Sequence, residues 1–219
     1  MVKFLGSTIG KKYLMGLTGL IWAGFVLAHM AGNLLIFVSN DAYNSYGHAL
    51  TSGNFIYVAE SVLIVALIIH VYTAISLTIA NKKAKGSSYA VSSGGAKKVS
   101  LASKTMAQQG ALVLFFIISH IITFKYGTYY ETTVNGVVMR DLAKLIAETF
   151  QSPGYVAWYV ACLILLGFHL SHGVGSSFQS LGLMEGTYRG LWKKLSGAYA
   201  VVVALGFLSQ PIYLFLFSH

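Results

Sequence analysis

Five stretches of the chain carry no Asp, Glu, Lys or Arg: residues 13–40, 61–81, 105–124, 149–184 and 195–219. Each is long enough for the roughly 20 residues that cross a bilayer core. None keeps the polar face that a soluble helix of this length requires. The pattern therefore predicts an all-α integral membrane protein with five transmembrane helices, at about 13–39, 54–81, 104–126, 154–181 and 192–217, since unbroken helices satisfy their own backbone hydrogen bonds where water is absent. The first run extends well beyond the apolar core of a cleaved signal peptide and shows no small-residue cleavage site.

The polar intervals differ in character. Residues 82–103 form a basic loop, and its segment SSYAVSSGGAKK at 87–98 is small and flexible, suited to lie against anionic headgroups or an acidic partner. Residues 41–54, DAYNSYGHALTSGN, read as a short loop. The connection over 127–153 is longer and mixed in charge. Within it Leu142, Leu145, Ile146 and Phe150 recur at helical spacing and predict a short helix lying on the membrane surface. No internal repeat divides the chain, which reads as a single membrane domain.

Charge fixes the expected orientation. The 219 residues include 15 Lys and Arg against 6 Asp and Glu, and only 10% are charged, where a soluble domain has roughly 25%. The formal +9 does not indicate nucleic acid, because the positive charge is sorted by loop. Lys3, Lys11, Lys12, Lys82, Lys83, Lys85, Lys97, Lys98, Lys104, Arg189, Lys193 and Lys194 fall on one side, and only Lys125, Arg140 and Lys144 on the other. The positive-inside rule places the N-terminus and the lysine-rich loops in the cytoplasm and His219 outside. The lone cysteine, Cys162, allows no internal disulfide and reads as a small buried hydrophobe.

Chemistry enters with the histidines. Of seven, His219 is terminal and His48 lies in the 41–54 interval, while His29, His70, His120, His169 and His172 sit within four of the apolar runs. Ionisable groups inside a membrane are costly and point to function. At about 1.5 Å rise per residue, His29 stands roughly 26 Å from Lys12 and His120 roughly 24 Å from Lys104, both toward the outer face. His70 stands roughly 18 Å from Lys82, and His169 roughly 20 Å from Gly182, both toward the cytoplasm. Two level pairs follow, His29 with His120 and His70 with His169. Paired imidazoles on facing helices can grip haem iron from both sides, each donating its second N–H to a hydroxyl or carbonyl. Ser119, Ser171 and Thr73 stand close in sequence to three of the four, and helical phase leaves their contact with the rings open. Gly16, Gly19, Gly24, Gly32, Gly167, Gly173 and Gly175 remove side chains where a macrocycle or another helix can approach. A carboxylate-ligated metal centre is disfavoured, since Glu60 is the sole acid near these depths. His172 follows His169 by three, a turn of about 300°, so both cannot face one iron; spacing alone leaves them level.

These features resemble the di-haem cytochrome b anchor subunit of succinate:quinone oxidoreductases and fumarate reductases, the type with a single five-helix chain. The resemblance covers essentially the whole sequence and rests on HMAGNLLIF from His29, AYNSYGHAL, IIHVYTAISL around His70, SHIITF around His120, and FHLSHG followed by Gly182. It implies a four-helix bundle binding two b haems: His70 and His169 on the proximal one, His29 and His120 on the distal one. It decides for His169 over His172, which becomes a neighbour of a haem propionate. It implies the bacterial inner (cytoplasmic) membrane, a flavoprotein partner with covalent FAD, an iron–sulfur partner, and menaquinone as the membrane substrate. The chain itself has no flavin fingerprint and no cysteine cluster, so it cannot oxidise succinate alone. By the same resemblance electrons pass from succinate through flavin and clusters to the haems and then the quinone, or in reverse for fumarate.

Glu60 lies about 9 Å inward of the outer boundary at Asn54, near the distal pair, where a carboxyl can exchange a proton with a quinone. Asn44, Tyr46 and His48 are expected to line the quinone entrance or to meet the distal propionates. Some family members carry an acid two positions before the histidine of the fourth haem-binding helix; Gly167 stands there, which argues against a proton path through that helix. The alternatives are a di-haem quinone-reactive subunit of another oxidoreductase, such as a formate dehydrogenase or hydrogenase, and a haem-free structural or transport protein.

Overall fold

Residues 2–84, 104–184 and 188–218 are described by the structure, a computed structural model. The helices there are α1 (Val2–Gly6), α2 (Thr8–Asn33), α3 (Asn40–Thr51), α4 (Phe55–Ala84), α5 (Met106–His120), α6 (Leu142–Phe150), α7 (Pro153–Ser180) and α8 (Arg189–Phe217). A 3-10 turn, Leu34–Phe37, extends α2, and a π turn, Ile121–Lys125, extends α5. Five segments are long and apolar enough to cross a membrane: Thr8–Phe37, Phe55–Ala84, Met106–Lys125, Pro153–Ser180 and Arg189–Phe217. They match the five expected spans. Most of the basic loop, with Lys85, Lys97, Lys98 and the 87–98 linker, lies outside the described residues, as does His219.

The burial pattern is inverted relative to a soluble bundle. On α4, Ile68 and Tyr72 are each 63% exposed, while Thr73 is 1% exposed. Thr18, Gln109, Ser177 and Ser196 are likewise buried. Apolar side chains face outward because lipid, unlike water, does not expel them; hydroxyls and amides turn inward, where they find partners. The chain is a polytopic all-α membrane protein.

Four helices close a ring: α2 packs on α4 and on α7, α7 packs on α5, and α4 meets α5 only lightly. Against this ring α8 lies on α7 and α2, burying Ala200, Val203 and Leu214 against Cys162, Leu166, Leu170 and Val174. Cys162 is buried and free, as expected. Pro211 interrupts the α8 ladder but is buried against neighbours, where a membrane helix tolerates it.

The end of the bundle opposite the lysine-rich loops departs from the sequence reading in two places. Residues 40–51 are helical rather than a loop. Ser39 caps α3, its Oγ accepting from Ala42 N at 3.0 Å; Asp41 occupies the first turn and His48 the last, as the helix dipole favours. The 127–153 connection contains the expected helix, α6, and also a hairpin of β1 (Glu131–Val134) and β2 (Val137–Arg140). Its turn residues Asn135 and Gly136 have φ of 52° and 79°, the left-handed pair that a two-residue hairpin turn demands. The Arg140 guanidinium donates to the carbonyls of Lys125, Gly127 and Thr128 at 3.2–3.3 Å, binding the hairpin to the end of the third span. Gly127 is needed there, since a Cβ would collide with the Thr123 carbonyl.

One buried amide fastens α3 to α6. Asn44 Nδ2 donates to Asp141 Oδ1 at 2.9 Å, and Asn44 Oδ1 accepts from Ala143 N at 2.9 Å. Replacing it strands the Ala143 backbone N–H and removes one of the two hydrogen bonds to the Asp141 carboxylate, which still accepts from Lys144 N. Asn44→Ala is expected to lower stability by about 2 kcal/mol, read as a drop in the melting temperature of the detergent-solubilised protein; an unchanged melt contradicts this fastening role.

Candidate functional site: two histidine pairs

The ring of α2, α4, α5 and α7 brings the four intramembrane histidines together in twos. His29 of α2 and His120 of α5 have ring centroids 5.8 Å apart with planes at 86°; His70 of α4 and His169 of α7 are 6.5 Å apart at 67°. These are the pairs that helical rise predicts. Their vertical separation follows from cross-contacts. Thr18 touches His70, Tyr159 touches His120, and Gly110 faces His169. Thr18 to His29 on α2, Gly110 to His120 on α5 and Tyr159 to His169 on α7 each span about 15 Å. Three helices give the same interval, roughly half the thickness of a bilayer core.

The two levels have different surroundings. The His29–His120 pair is enclosed by rings: Phe25 stacks on His29 at 5.3 Å, Phe207 of α8 lies 5.8 Å from it, and Phe116, Phe124 and Tyr159 surround His120. The His70–His169 pair is flanked by two glycines. A Cβ at Gly19 would stand 3.4 Å from His70 Cε1, and one at Gly110 would stand 3.4 Å from His169 Cε1. Of the glycines singled out in the sequence, Gly19 meets both Ser177 of α7 and the His70 ring, Gly16, Gly167 and Gly175 serve close helix packing, and Gly32 receives the Tyr46 ring.

Three of the four rings are held by a second group. Thr18 Oγ1 lies 3.2 Å from His70 Nδ1, Tyr159 Oη lies 3.3 Å from His120 Nδ1, and Asn33 Nδ2 lies 3.2 Å from His29 Nε2. Asn33 is held in turn by the Tyr43 hydroxyl, which donates to its Oδ1 at 2.8 Å. Burial raises the Tyr43 pKa above its ordinary value, so the hydroxyl keeps the proton it donates. The nearby hydroxyls are occupied otherwise. Thr73, Ser119 and Ser171 donate to carbonyls three or four residues back on their own helices.

His169 Nδ1 is buried with no hydrogen-bond partner, as are Trp22 Nε1 and Gln109 Oε1. Such groups cost stability unless something completes them. Among the described residues no three His, Cys, Asp or Glu side chains come together. Two neutral nitrogens per site do not make the four-ligand cage of a protein-held metal. They do fit a metal whose remaining ligands arrive with it. Metal–imidazole bonds of about 2 Å on opposite sides, plus the ring half-widths, put two imidazole centres about 6 Å apart, close to both observed separations. The donor set and the spacing are compatible with an iron porphyrin that would be held between two histidines.

The remaining candidates fall nearer the ends of the spans. His172 is half-buried one turn beyond His169 and hydrogen-bonds to none of the four. His48 and Tyr46 stand on α3, Tyr46 with its ring against Gly32. Asn44 has both ends of its amide engaged by α6, so neither is turned toward a ligand. Glu60 is ion-paired with Lys125, which joins the N-terminal part of α4 to the π turn after His120. No family model, curated protein or solved structure matches this chain.

The pairing is testable without any ligand. In cysteine-substituted proteins, a short bifunctional thiol reagent is expected to cross-link His29→Cys with His120→Cys, and His70→Cys with His169→Cys. The mixed combination His29→Cys with His169→Cys should stay unlinked. Efficient linkage of the mixed pair contradicts the two-level arrangement.

Proposed function

We propose that this chain is the membrane anchor and electron-transfer subunit of a respiratory succinate:quinone oxidoreductase, working in either direction between succinate and quinone. The observation that carries this reading is the meeting of imidazoles from four spans as two stacked pairs. The motif resemblance around each histidine supports the particular complex. In this reading His70 and His169 hold one b-type haem and His29 and His120 the other. A haem held by two of these histidines would supply reversible one-electron exchange rather than bond chemistry at iron.

The residues divide the remaining work. The Thr18 and Tyr159 hydroxyls can accept the second N–H of His70 and His120, as outer partners of metal-ligating histidines do, whereas the Asn33 amide donates to His29 Nε2, and ligation through that nitrogen would displace it. The aromatic shell of the outer pair and the lipid-facing apolar helices exclude water from both levels. Spacing the pairs by about 15 Å replaces one crossing of the insulating layer by two shorter steps. Lysine-rich ends of the spans face the cytoplasm, where an iron–sulfur subunit and a flavoprotein with covalent FAD dock. Menaquinone exchanges electrons near the outer pair, and Glu60, balanced by Lys125, carries its proton. The setting is the bacterial cytoplasmic membrane.

Purified from its native membrane, the protein is expected to contain two haems per chain by pyridine haemochrome assay, with low-spin b-type bands in the reduced-minus-oxidised spectrum, and to bring with it a covalent flavoprotein. Absence of haem contradicts the reading. Haem accompanied by a different oxidoreductase partner shifts the assignment to another quinone-reactive cytochrome. Alanine at His29, His120, His70 or His169 should remove one haem each, and His172→Ala neither; the reverse result for His169 and His172 reassigns that ligand. Glu60→Gln should slow quinone turnover by about tenfold or more with both haems retained, and unchanged turnover removes Glu60 from the proton route.

A further inference from the structure

Where α8 lies against the ring of helices, it leaves a groove lined by no histidine. The groove has a volume of about 310 Å³ and is walled by Leu20 and Gly24 of α2, Val174 and Phe178 of α7, and Leu195 and Tyr199 of α8. Two close contacts shape it. Gly175 admits α8 against α7, since a Cβ there would stand 3.2 Å from Ser196 Oγ. The Tyr199 hydroxyl donates to the Ala23 carbonyl at 2.6 Å and ties α8 to α2. Gly24 keeps the space beside that bond open, because nothing lies within 4 Å of the position its Cβ would take.

The groove faces lipid and not the bundle interior. At about 100° per residue, Leu20 and Gly24 stand roughly 160° and 120° round α2 from Thr18, the residue that meets His70. The walls are apolar. The slot runs about 10 Å along α8 from Trp192 to Tyr199, parallel to the hydrocarbon chains of a bilayer. Its volume is at the small end of the roughly 300–1,000 Å³ that enclose whole ligands, so it suits a single hydrocarbon chain.

Charge identifies the headgroup. Phe178 and Trp192, with ring centroids 4.6 Å apart, stand near the end of α7 and the start of α8, where aromatic rings mark a membrane boundary. Arg189 lies one turn before Trp192 and about 60° from it, Lys193 adjoins Trp192, and Lys12 lies about 12 Å before Leu20 on α2. All three basic residues are exposed, and neither ion pair found among the described residues includes them. Asp41, Glu60, Glu131, Asp141 and Glu148 belong to the opposite end of the bundle, and Glu185 lies outside the described residues. Basic side chains that reach the headgroup level at the mouth of an apolar slot between helices complement a lipid phosphate.

We infer that this slot is a binding site for an anionic phospholipid, with one acyl chain between α2, α7 and α8 and the phosphate on Arg189 and Lys193. The bound chain completes the contact of α8 with α2. The site is separate from the histidine pairs and stands whether or not they hold haem.

The test titrates the full chain in detergent with phosphatidylglycerol brominated along its acyl chains, or with phosphatidylcholine brominated in the same way, and reads the quenching of tryptophan fluorescence. The signal from the slot is the part that Trp192→Phe removes. Phosphatidylglycerol is expected to bind about tenfold more tightly than phosphatidylcholine. Arg189→Gln with Lys193→Gln should abolish that preference. Lys82→Gln with Lys83→Gln, an equal loss of charge at the same end of the bundle, should keep it. Gly24→Leu, which fills the open space, should weaken both lipids severalfold, and Leu20→Trp should repeat the effect from a second position, which separates loss of the slot from loss of folding. Equal binding of the two lipids overturns the inference, as does a preference that survives Arg189→Gln with Lys193→Gln or is lost equally with Lys82→Gln and Lys83→Gln. Quenching unchanged by both Gly24→Leu and Leu20→Trp places the chain elsewhere and overturns it. Displacement of the brominated lipid by an equimolar menaquinone analogue shows that the slot serves a quinone, and overturns it also.

Discussion

Meeting of two imidazoles from different helices inside an apolar bundle is the interaction on which the rest of this structure depends. A polar ring is expensive in a lipid-like interior unless its nitrogens are engaged. Among the described residues the bundle engages a nitrogen of His29, His70 and His120 and leaves His169 Nδ1 without a partner, and each level draws on two helices that are not consecutive in the chain. The ring contacts His29–His120 and His70–His169 link α2 to α5 and α4 to α7 across the ring of helices, while the hydrogen bonds of His70 to Thr18 and His120 to Tyr159 run along its perimeter. Where direct perimeter packing is sparse, between α4 and α5, these diagonal pairs span the same space.

The supporting structure is ordered by the same requirement. Each orienting group on a histidine comes from a place where the backbone is already fixed: Thr18 and Asn33 within α2, and Tyr159 within α7. Outside the spans, the hairpin, α3 and α6 form a cap on the end that carries the His29–His120 pair. Arg140 grips the carbonyls after the π turn, Asn44 joins α3 to α6, and Tyr43 reaches back to Asn33. The cap thus supports the end of the helix bearing His120 and the residue that holds His29. The inner pair has no such cap, and its surroundings are the glycines Gly19 and Gly110 with polar residues of the lysine-rich end.

Much of this was legible in the residue order, for definable reasons. Spans announce themselves by the absence of charge, and histidine depth follows from the fixed rise of a helix, so the pairing of levels could be read before any contact was known. What hid were relations set by helix rotation. Thr73, Ser119 and Ser171 stand near histidines in sequence, but a hydroxyl in an apolar helix satisfies itself on a carbonyl one turn back, and the true partners come from elsewhere. Thr18 lies on a different helix from His70, which no spacing rule within one helix reveals; Asn33, four residues after His29, was within reach of such a rule. The hairpin was announced by Val-Asn-Gly-Val at 134–137, and α3 by Ser39 as a cap ahead of Asp41. Both are short polar segments whose folding is fixed by turn and cap chemistry rather than by hydrophobic period.

A density map of the complete chain purified from its native membrane, at a resolution that shows side chains, tests the central claim most directly. The account predicts a flat macrocycle between His29 and His120 and a second between His70 and His169, with centres about 15 Å apart. Imidazoles touching one another directly at both levels, with no group between them, would contradict it.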